Sequence, residues 1–177
     1  MKGPILITPE IFEDKRGYFM ENWNQSVFDK LVKRKIDFIK DCLSYSKIGV
    51  IRGLHYQLAP FQQDKLITCL SGCIFDVLVD LRKSSETYKS YIGIELRSRE
   101  SKQIFIPKGF AHGFLTLSEN AKVFYKIAGE YSLENQRSLK WDDQDISINW
   151  PLGKLKVITS KKDNLAKSII ELENEFE

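Results

Sequence analysis

The middle of the chain is a series of short apolar runs separated by turn residues, and this pattern limits the possible folds more than any other feature. Such runs, rich in β-branched and aromatic residues, are typical of β-strands. Six of them are KLITCL (65–70), CIFDVLVDLR (73–82), YIGIELR (91–97), KQIFIP (102–107), FLTLS (114–118) and KVFYKIAG (122–129). Many short strands with few helices predict a mainly β protein, a sandwich or barrel of the jelly-roll kind with peripheral helices.

Two segments have helical character. The first, SVFDKLVKR (26–34), carries apolar residues at helical spacing, and Ser26 is its predicted N-cap. The second is the tail from about residue 161 to residue 177. A chain of 177 residues, 42% of them hydrophobic, can bury one substantial core. We therefore expect a single domain over residues 1–177 that ends in this helical tail.

The dipeptide Ser71-Gly72 separates two of the strand-like runs and predicts a tight hairpin. In that hairpin Lys65 and Asp76 share a face as diagonal neighbours. Two interpretations of this pair stay open. The carboxylate could hold a buried lysine in its charged form, or the two groups could form an exposed ion pair that contributes little to stability.

Charge and cysteine content restrict the class of protein. The 27 basic and 24 acidic residues leave a formal charge of +3, which does not indicate a nucleic-acid or membrane surface. No apolar run reaches the roughly 18 residues of a membrane span, and the first ten residues lack the apolar core of a signal peptide. Cys42, Cys69 and Cys73 form no CxxC pair and are typical of reduced thiols. We expect a cytoplasmic protein.

The chain has only two histidines, His55 and His112, and His55 lies inside an apolar strand-like run, IRGLHYQ (51–57). Strict alternation would place Arg52 on the opposite face of the strand from His55. Gly53 lies between them and is a natural position for a bulge that would turn both side chains toward one pocket. The alternative is that His55 is simply a hydrogen-bonded core residue.

The sequence lacks the motifs of several common kinds of active site. Two histidines without an HxH or HExxH pair do not indicate a metal site, and neither a GxSxG elbow nor a phosphate-binding glycine loop occurs. Proton transfer remains, because the ordinary pKa of an imidazole lies near neutrality and a tyrosine can act as the partner acid.

Six phrases of the sequence, in order, resemble the dTDP-4-dehydrorhamnose 3,5-epimerase family. They are RGYFMENWN (16–24), RGLHYQ (52–57), DVLVDLR (76–82), IPKGFAHGFLTLS (106–118), FYK (124–126), and WDD with INWP (141–151). The similarity extends from about residue 4 to residue 165. It implies a metal-free, cupin-type jelly roll that forms a homodimer, needs no cofactor, and acts on a nucleotide-activated 4-keto-6-deoxy sugar.

The resemblance also implies roles for four catalytic residues. His55 matches the base that removes a proton beside the C4 ketone, and Tyr125 matches the acid on the other face of the sugar ring. Asp163 matches the aspartate that orients the histidine, a contact that fixes the tautomer of the ring. Lys65, with Arg52 nearby, would face the oxyanion that develops at O4.

Seven further positions match substrate-binding residues of the family, with guanidinium groups for phosphate and aromatic rings for the base. They are Arg16, Phe19, Glu21, Arg52, His112, Tyr131 and Lys162. Structural alternatives stay open for three of them. His112 could be a buried, hydrogen-bonded histidine, Tyr131 could be a strand residue without a binding role, and Arg16 could lie on a solvated turn.

The chain departs from the family pattern in the segment IKDCLS (39–44), where the family commonly has glutamine, aspartate, asparagine and histidine in succession. Lys40, Cys42 and Leu43 replace three polar residues of the substrate side, and only Asp41 matches. Such changes bear on the choice of nucleotide and sugar. The alternatives to a 3,5-epimerase are a single-centre epimerase for a dTDP-, GDP- or CDP-linked sugar, a non-catalytic binding protein and, more remotely, a metal-dependent cupin dioxygenase.

Overall fold

The computed structural model describes residues 3–173, and within that range the chain is mainly β-structure. The strands are β1 Ile5–Ile7, β2 Phe12–Asp14, β3 Gly17–Phe19, β4 Lys40–Lys47, β5 Ile51–Gln57, β6 Asp64–Ser71, β7 Cys73–Asp80, β8 Tyr91–Arg97, β9 Gln103–Ile106, β10 Phe110–Thr116, β11 Asn120–Ala128 and β12 Gln136–Ser138. The helices are α1 Gln25–Val32, α2 Lys161–Asn164 and α3 Ile169–Leu172, and a 3₁₀ turn spans Ser98–Glu100.

Ten of these strands form two five-stranded antiparallel sheets, in the orders β1-β9-β6-β11-β4 and β12-β5-β10-β7-β8. Strands β2 and β3 form a separate two-stranded hairpin. The prediction of a mainly β, jelly-roll-type sandwich with few helices is confirmed. Along residues 3–173 no helix combines the length and apolar character that a membrane span requires.

The predicted hairpin between β6 and β7 is wrong. Strand β6 pairs with β9 and β11, whereas β7 pairs with β8 and β10, so the connection at Ser71-Gly72 carries the chain from one sheet to the other. A Ser-Gly turn signal shows where the chain reverses, but it does not show whether the next strand joins the same sheet or the facing one. Lys65 and Asp76 still interact, now from different sheets across the interior.

The predicted N-cap of the first helix also needs correction. Helix α1 begins at Gln25, and its N-cap is Asn24 rather than Ser26, because the Asn24 side chain accepts hydrogen bonds from two backbone amides of the first turn. The described part of the predicted helical tail contains two short helices, α2 and α3, and Ser168 starts α3 with its own capping box. Residues 174–177 of the predicted tail lie outside the described residues. The single domain over residues 1–177 stays a prediction.

The interior between the sheets has an apolar part and a polar part. In β6, Ile67 and Cys69 belong to a buried apolar cluster, whereas Lys65, on the same face, lines a cavity. In β11, Val123 belongs to the same cluster, and Tyr125, two residues further on, lines the cavity. The inner faces of these strands therefore change from core to cavity along their length.

Strand β5 contains the irregularity predicted at Gly53. His55 lies opposite His112 of β10, but Arg52 lies opposite Phe114, so β5 has one residue more than its partner between these pairs. Gly53 has a φ of +116°, and a Cβ there would lie 2.6 Å from the His112 carbonyl oxygen. Glycine is required at this close approach, and the extra residue turns both Arg52 and His55 toward the cavity.

Candidate active site

A cavity of about 610 Å³ opens between the two sheets and is closed at one side by α2. Eight of the eleven predicted site residues line it, and they come from both sheets, from the segment after β11 and from α2. They are Arg52, His55, Lys65, His112, Tyr125, Tyr131, Lys162 and Asp163. Because the two sheets face each other, residues that are far apart in the sequence lie around one cavity.

The remaining three predicted residues, Arg16, Phe19 and Glu21, lie outside this cavity. Arg16 and Phe19 belong to the β2–β3 hairpin and line a separate surface pocket. Arg16 forms an ion pair with Asp14 at 2.6 Å, and Phe19 is 71% exposed. Glu21 follows the hairpin and is exposed. Within one chain the structure does not bring this group to the cavity.

His55 and Asp163 form a short polar contact in the cavity. The Nε2 atom of His55 lies 2.6 Å from Oδ1 of Asp163, and Asp163 is buried. Burial acts to raise the pKa of Asp163, but hydrogen bonds from His55 and Ser160 hold that pKa below its ordinary value. The carboxylate is therefore the acceptor, Nε2 carries the proton, and Nδ1 is left as the basic nitrogen of the ring.

Lys65 supplies a positive charge inside the cavity. Its Nζ atom donates a hydrogen bond to the backbone carbonyl of His55 at 3.4 Å. Burial lowers the pKa of Lys65 to about 8, and the negative charge of Asp76 opposes this effect. Lys65 is thus a charged donor at neutral pH and loses its charge in mildly alkaline solution.

His112 is paired with Asp76, a residue to which the sequence analysis assigned no site role. Its Nε2 atom lies 2.8 Å from Oδ1 of Asp76, and both residues are buried. The structure therefore shows His112 as a hydrogen-bonded buried histidine that also lines the cavity. The sequence predicted that Asp76 lies near Lys65. In the structure the two charges do interact, although they lie in different sheets rather than in one hairpin.

Tyr125 faces the cavity from β11. Its hydroxyl lies 3.1 Å from Oγ of Ser44, and its ring centroid is 6.3 Å from that of His112. Burial raises the pKa of the phenol well above its ordinary value, with the hydrogen bond to Ser44 opposing the shift. The phenol is therefore protonated and available as an acid. Ser44 is not among the site residues predicted from the sequence.

Further cationic groups stand around the opening. Arg52 donates from Nε to Oγ of Ser46 at 2.8 Å and so connects β5 with β4 of the other sheet. Lys162 lines the cavity beside Asp163. The Nζ atom of Lys40 lies 5.3 Å from the centroid of the half-exposed Tyr131 ring. Together with Lys65 these groups make the cavity suitable for an anionic ligand.

The arrangement combines an oriented imidazole, a protonated phenol and a buried ammonium, which are the parts required for proton transfer next to a carbonyl group. Within residues 3–173, no three His, Cys, Asp or Glu side chains are grouped as a metal site would require.

Comparison with known proteins agrees with the family resemblance of the sequence. The sequence model of the dTDP-4-dehydrorhamnose 3,5-epimerase family matches residues 1–171. The dTDP-4-dehydrorhamnose 3,5-epimerase of Shigella flexneri is 47% identical over 148 residues, which are 84% of this chain and 82% of that protein.

Two solved structures are similar throughout. The dTDP-4-dehydrorhamnose 3,5-epimerase of Elizabethkingia anophelis is 42% identical, with a TM-score of 0.90 over 95% of this chain and 92% of that one. The dTDP-6-deoxy-D-glucose-3,5-epimerase of Legionella pneumophila, in complex with dTDP-4-keto-L-rhamnose, is 39% identical, with a TM-score of 0.93 over 98% and 91% of the two chains.

The charge state of Lys65 is directly measurable. We expect its ammonium group to titrate at about pH 8, because burial lowers its pKa to about 8. Asp76→Asn removes the opposing negative charge, so the pKa of Lys65 should fall further in that variant. NMR titration of isotope-labelled lysine side chains measures both, with Lys89 as the control, since Glu173 raises the pKa of that lysine. Titration of Lys65 at the ordinary lysine pKa would contradict the buried position.

Proposed function

The chain belongs to the dTDP-4-dehydrorhamnose 3,5-epimerase family and is an epimerase of a nucleotide sugar, and from this premise we propose how its cavity performs the reaction. In this proposal the substrate is a dTDP-linked 4-keto-6-deoxy sugar, and C3 and C5 are inverted without a cofactor. The observation that carries the proposal is the convergence of His55, Tyr125 and Lys65 on one cavity.

The first step is removal of a proton from the carbon next to the ketone. The C4 carbonyl acidifies the hydrogens on C3 and C5, so the neutral nitrogen of His55 can accept one of them. The electron pair of the broken C–H bond moves into the enolate and leaves a negative charge on O4. Asp163, 2.6 Å from the ring, stabilises the imidazolium that forms.

Lys65, with Arg52 nearby, is the proposed partner of the O4 oxyanion. A preorganised positive charge in a site that excludes water can stabilise such a charge by roughly 3 kcal/mol. Lys65 is suited to this role because its ammonium is held beside the His55 backbone. The ketone itself accepts the electrons, so the proposed reaction needs no cofactor.

Tyr125 completes the inversion by donating its proton to the opposite face of the carbon. A C–H bond forms with the enolate electrons, and the phenol is left as a phenolate. Protonation on the face opposite to the base inverts the centre. Once the imidazolium has released its proton to solvent and the phenolate has taken a proton from solvent, repetition at the other carbon gives the doubly inverted sugar. Support comes from the buried, protonated phenol on β11, which belongs to the other sheet from β5 and lines the same cavity as His55.

We propose that the nucleotide diphosphate occupies the cationic opening. Arg52 and Lys162 are its proposed phosphate partners, and Tyr131 at the rim is a proposed stacking surface for the base. The solved Legionella pneumophila relative holds dTDP-4-keto-L-rhamnose, which supports this class of substrate. Lys40, Cys42 and Leu43 also line the cavity, so their departure from the family pattern bears on the choice of sugar and nucleotide.

We further propose that the enzyme is a homodimer in which each cavity is completed by the partner chain. The three predicted binding residues outside the cavity, Arg16, Phe19 and Glu21, lie on or beside an exposed hairpin whose aromatic side chains lack a covering partner within residues 3–173. Strand β4, which lines the cavity, has an open outer edge among the described strands. A hairpin reaching the partner's β4 edge would bring all three residues to the substrate.

A cytoplasmic location is also part of the proposal. The three cysteines are free thiols, which is compatible with a reducing compartment. We propose no nucleic-acid or membrane partner.

The proposed reaction predicts solvent exchange at two carbons. Incubation with a dTDP-linked 4-keto-6-deoxyhexose in deuterated water should introduce deuterium at C3 and C5, which NMR detects. His55→Ala should lower exchange at both carbons by about 10³-fold because the base is lost. Tyr125→Phe should permit exchange but lower inversion by about 10²-fold.

Tyr88→Phe is the matched control, since it removes a hydroxyl that contacts Glu173 outside the cavity. This variant should retain wild-type activity. Exchange at one carbon alone would favour a single-centre epimerase. Unchanged activity in His55→Ala would contradict the proposed base.

The proposed dimer predicts complementation between inactive variants. His55→Ala has an intact hairpin, and an Arg16→Ala/Phe19→Ala variant has an intact cavity. If each hairpin serves the partner's cavity, a mixture of the two refolded or co-expressed together should recover about a quarter of the wild-type activity. A mixture of His55→Ala and Tyr125→Phe is the control and should recover none, because both changes lie in the same cavity. Monomers in light scattering, or no recovery in the first mixture, would refute the composite site.

A further inference from the structure

We propose that Ser44 is a positioning residue for the phenol of Tyr125, and that its hydroxyl holds the phenol toward the substrate and stabilises the phenolate left after proton donation. The inference rests on the proposed function, since it concerns the acid of that reaction. It adds a residue to the site that neither the sequence motifs nor the family resemblance indicated.

The geometry follows from the pairing of β4 with β11. Ser44 lies directly opposite Val123, and Cys42 lies directly opposite Tyr125, so Ser44 and Tyr125 are diagonal neighbours. Ser44 is partly buried on the cavity side of the strand, whereas the adjacent Leu43 and Tyr45 are exposed. The two hydroxyl groups lie 3.1 Å apart, within hydrogen-bond distance.

Ser44 is well suited to hold the phenol because other neighbours are weaker or more distant partners. The His112 ring centroid lies 6.3 Å from the Tyr125 ring centroid, and His112 is already paired with Asp76. Cys42 replaces the asparagine common in the family, and a thiol is a weak hydrogen-bond donor. In this chain, therefore, the orientation of the phenol depends strongly on the Ser44 hydroxyl.

The same contact affects the chemistry of proton donation. When the Tyr125 O–H bond breaks, its electron pair stays on the phenolate oxygen and the proton forms the new C–H bond. The surroundings oppose this charge, because burial raises the pKa of the phenol, whereas the Ser44 hydrogen bond acts in the opposite direction. A serine O–H donated to a phenolate is a charge-assisted hydrogen bond, which is stronger than one between neutral groups.

The test compares inversion with solvent exchange in four proteins: wild type, Ser44→Ala, Tyr125→Phe and the double variant. The probe is a dTDP-linked 4-keto-6-deoxyhexose in deuterated water. Ser44→Ala should lower the rate of inversion by about 10- to 100-fold while exchange catalysed by His55 changes much less. In the Tyr125→Phe background, Ser44→Ala should have no further effect, because the residue acts through the phenol.

Two conservative variants separate this role from a purely structural one. Ser44→Thr retains the hydroxyl and should restore most of the inversion. Ser44→Cys is close to the same size but donates weakly, so it should resemble Ser44→Ala, and it serves in place of Ser44→Ala if that variant does not fold. Thermal unfolding and dTDP affinity should be close to wild type in the variants that are compared.

An equal loss of exchange and inversion in Ser44→Ala, or additive losses in the double variant, would overturn the role of Ser44 while leaving the proposed function intact. Absence of exchange in the wild-type protein would instead overturn the proposed function.

Discussion

The contact between the His55 imidazole and the Asp163 carboxylate is the interaction on which the rest of the site depends. It joins the middle of β5 to helix α2 across 108 positions of the sequence, and it holds the ring in one tautomer. The short helix α2 supports the carboxylate, because Ser160 caps the helix and also lowers the pKa of Asp163. One hydrogen bond thus connects β5 to α2 beside the cavity and orients the imidazole of the proposed base.

The site also requires polar and charged groups in the interior of a protein whose core is otherwise apolar. Asp76 of β7 is completely buried and contacts His112, while its charge also acts on Lys65 from the facing sheet. Buried charges are costly unless they are paired. The negative charge of Asp76 therefore acts against the loss of charge on Lys65 inside the sandwich, and the apolar cluster that contains Ile67 and Phe114 lies beside these groups.

Sequence patterns were most informative where a local rule determines the structure. The strand from Tyr91 to Arg97 was predicted with its observed boundaries, and the bulge at Gly53 followed from the backbone freedom of glycine. The pairing of strands that are distant in the sequence was harder to predict. The turn after Ser71 gave no information on which sheet β7 joins, so the predicted hairpin was wrong although Lys65 and Asp76 do interact.

The same difference between local patterns and long-range contacts is seen at the candidate site. The family resemblance predicted eight of the residues that line the cavity, and four of these lie inside the six quoted phrases: Arg52, His55, His112 and Tyr125. Ser44 and Asp76 were missed as site residues since their roles come from contacts between strands that are distant in the sequence. Arg16 and Phe19 lie on a hairpin outside the cavity, and a motif match does not show whether a residue reaches the cavity of the same chain.

The most direct test of the central claim is a crystal structure of the protein with a dTDP-linked hexose bound. The claim predicts that the hexose lies in the cavity with His55 and Tyr125 on opposite faces of its ring. A ring nitrogen of His55 and the Tyr125 oxygen should each lie within about 3.5 Å of C3 or C5. Both groups on one face of the ring, or a hexose bound outside this cavity, would contradict the claim.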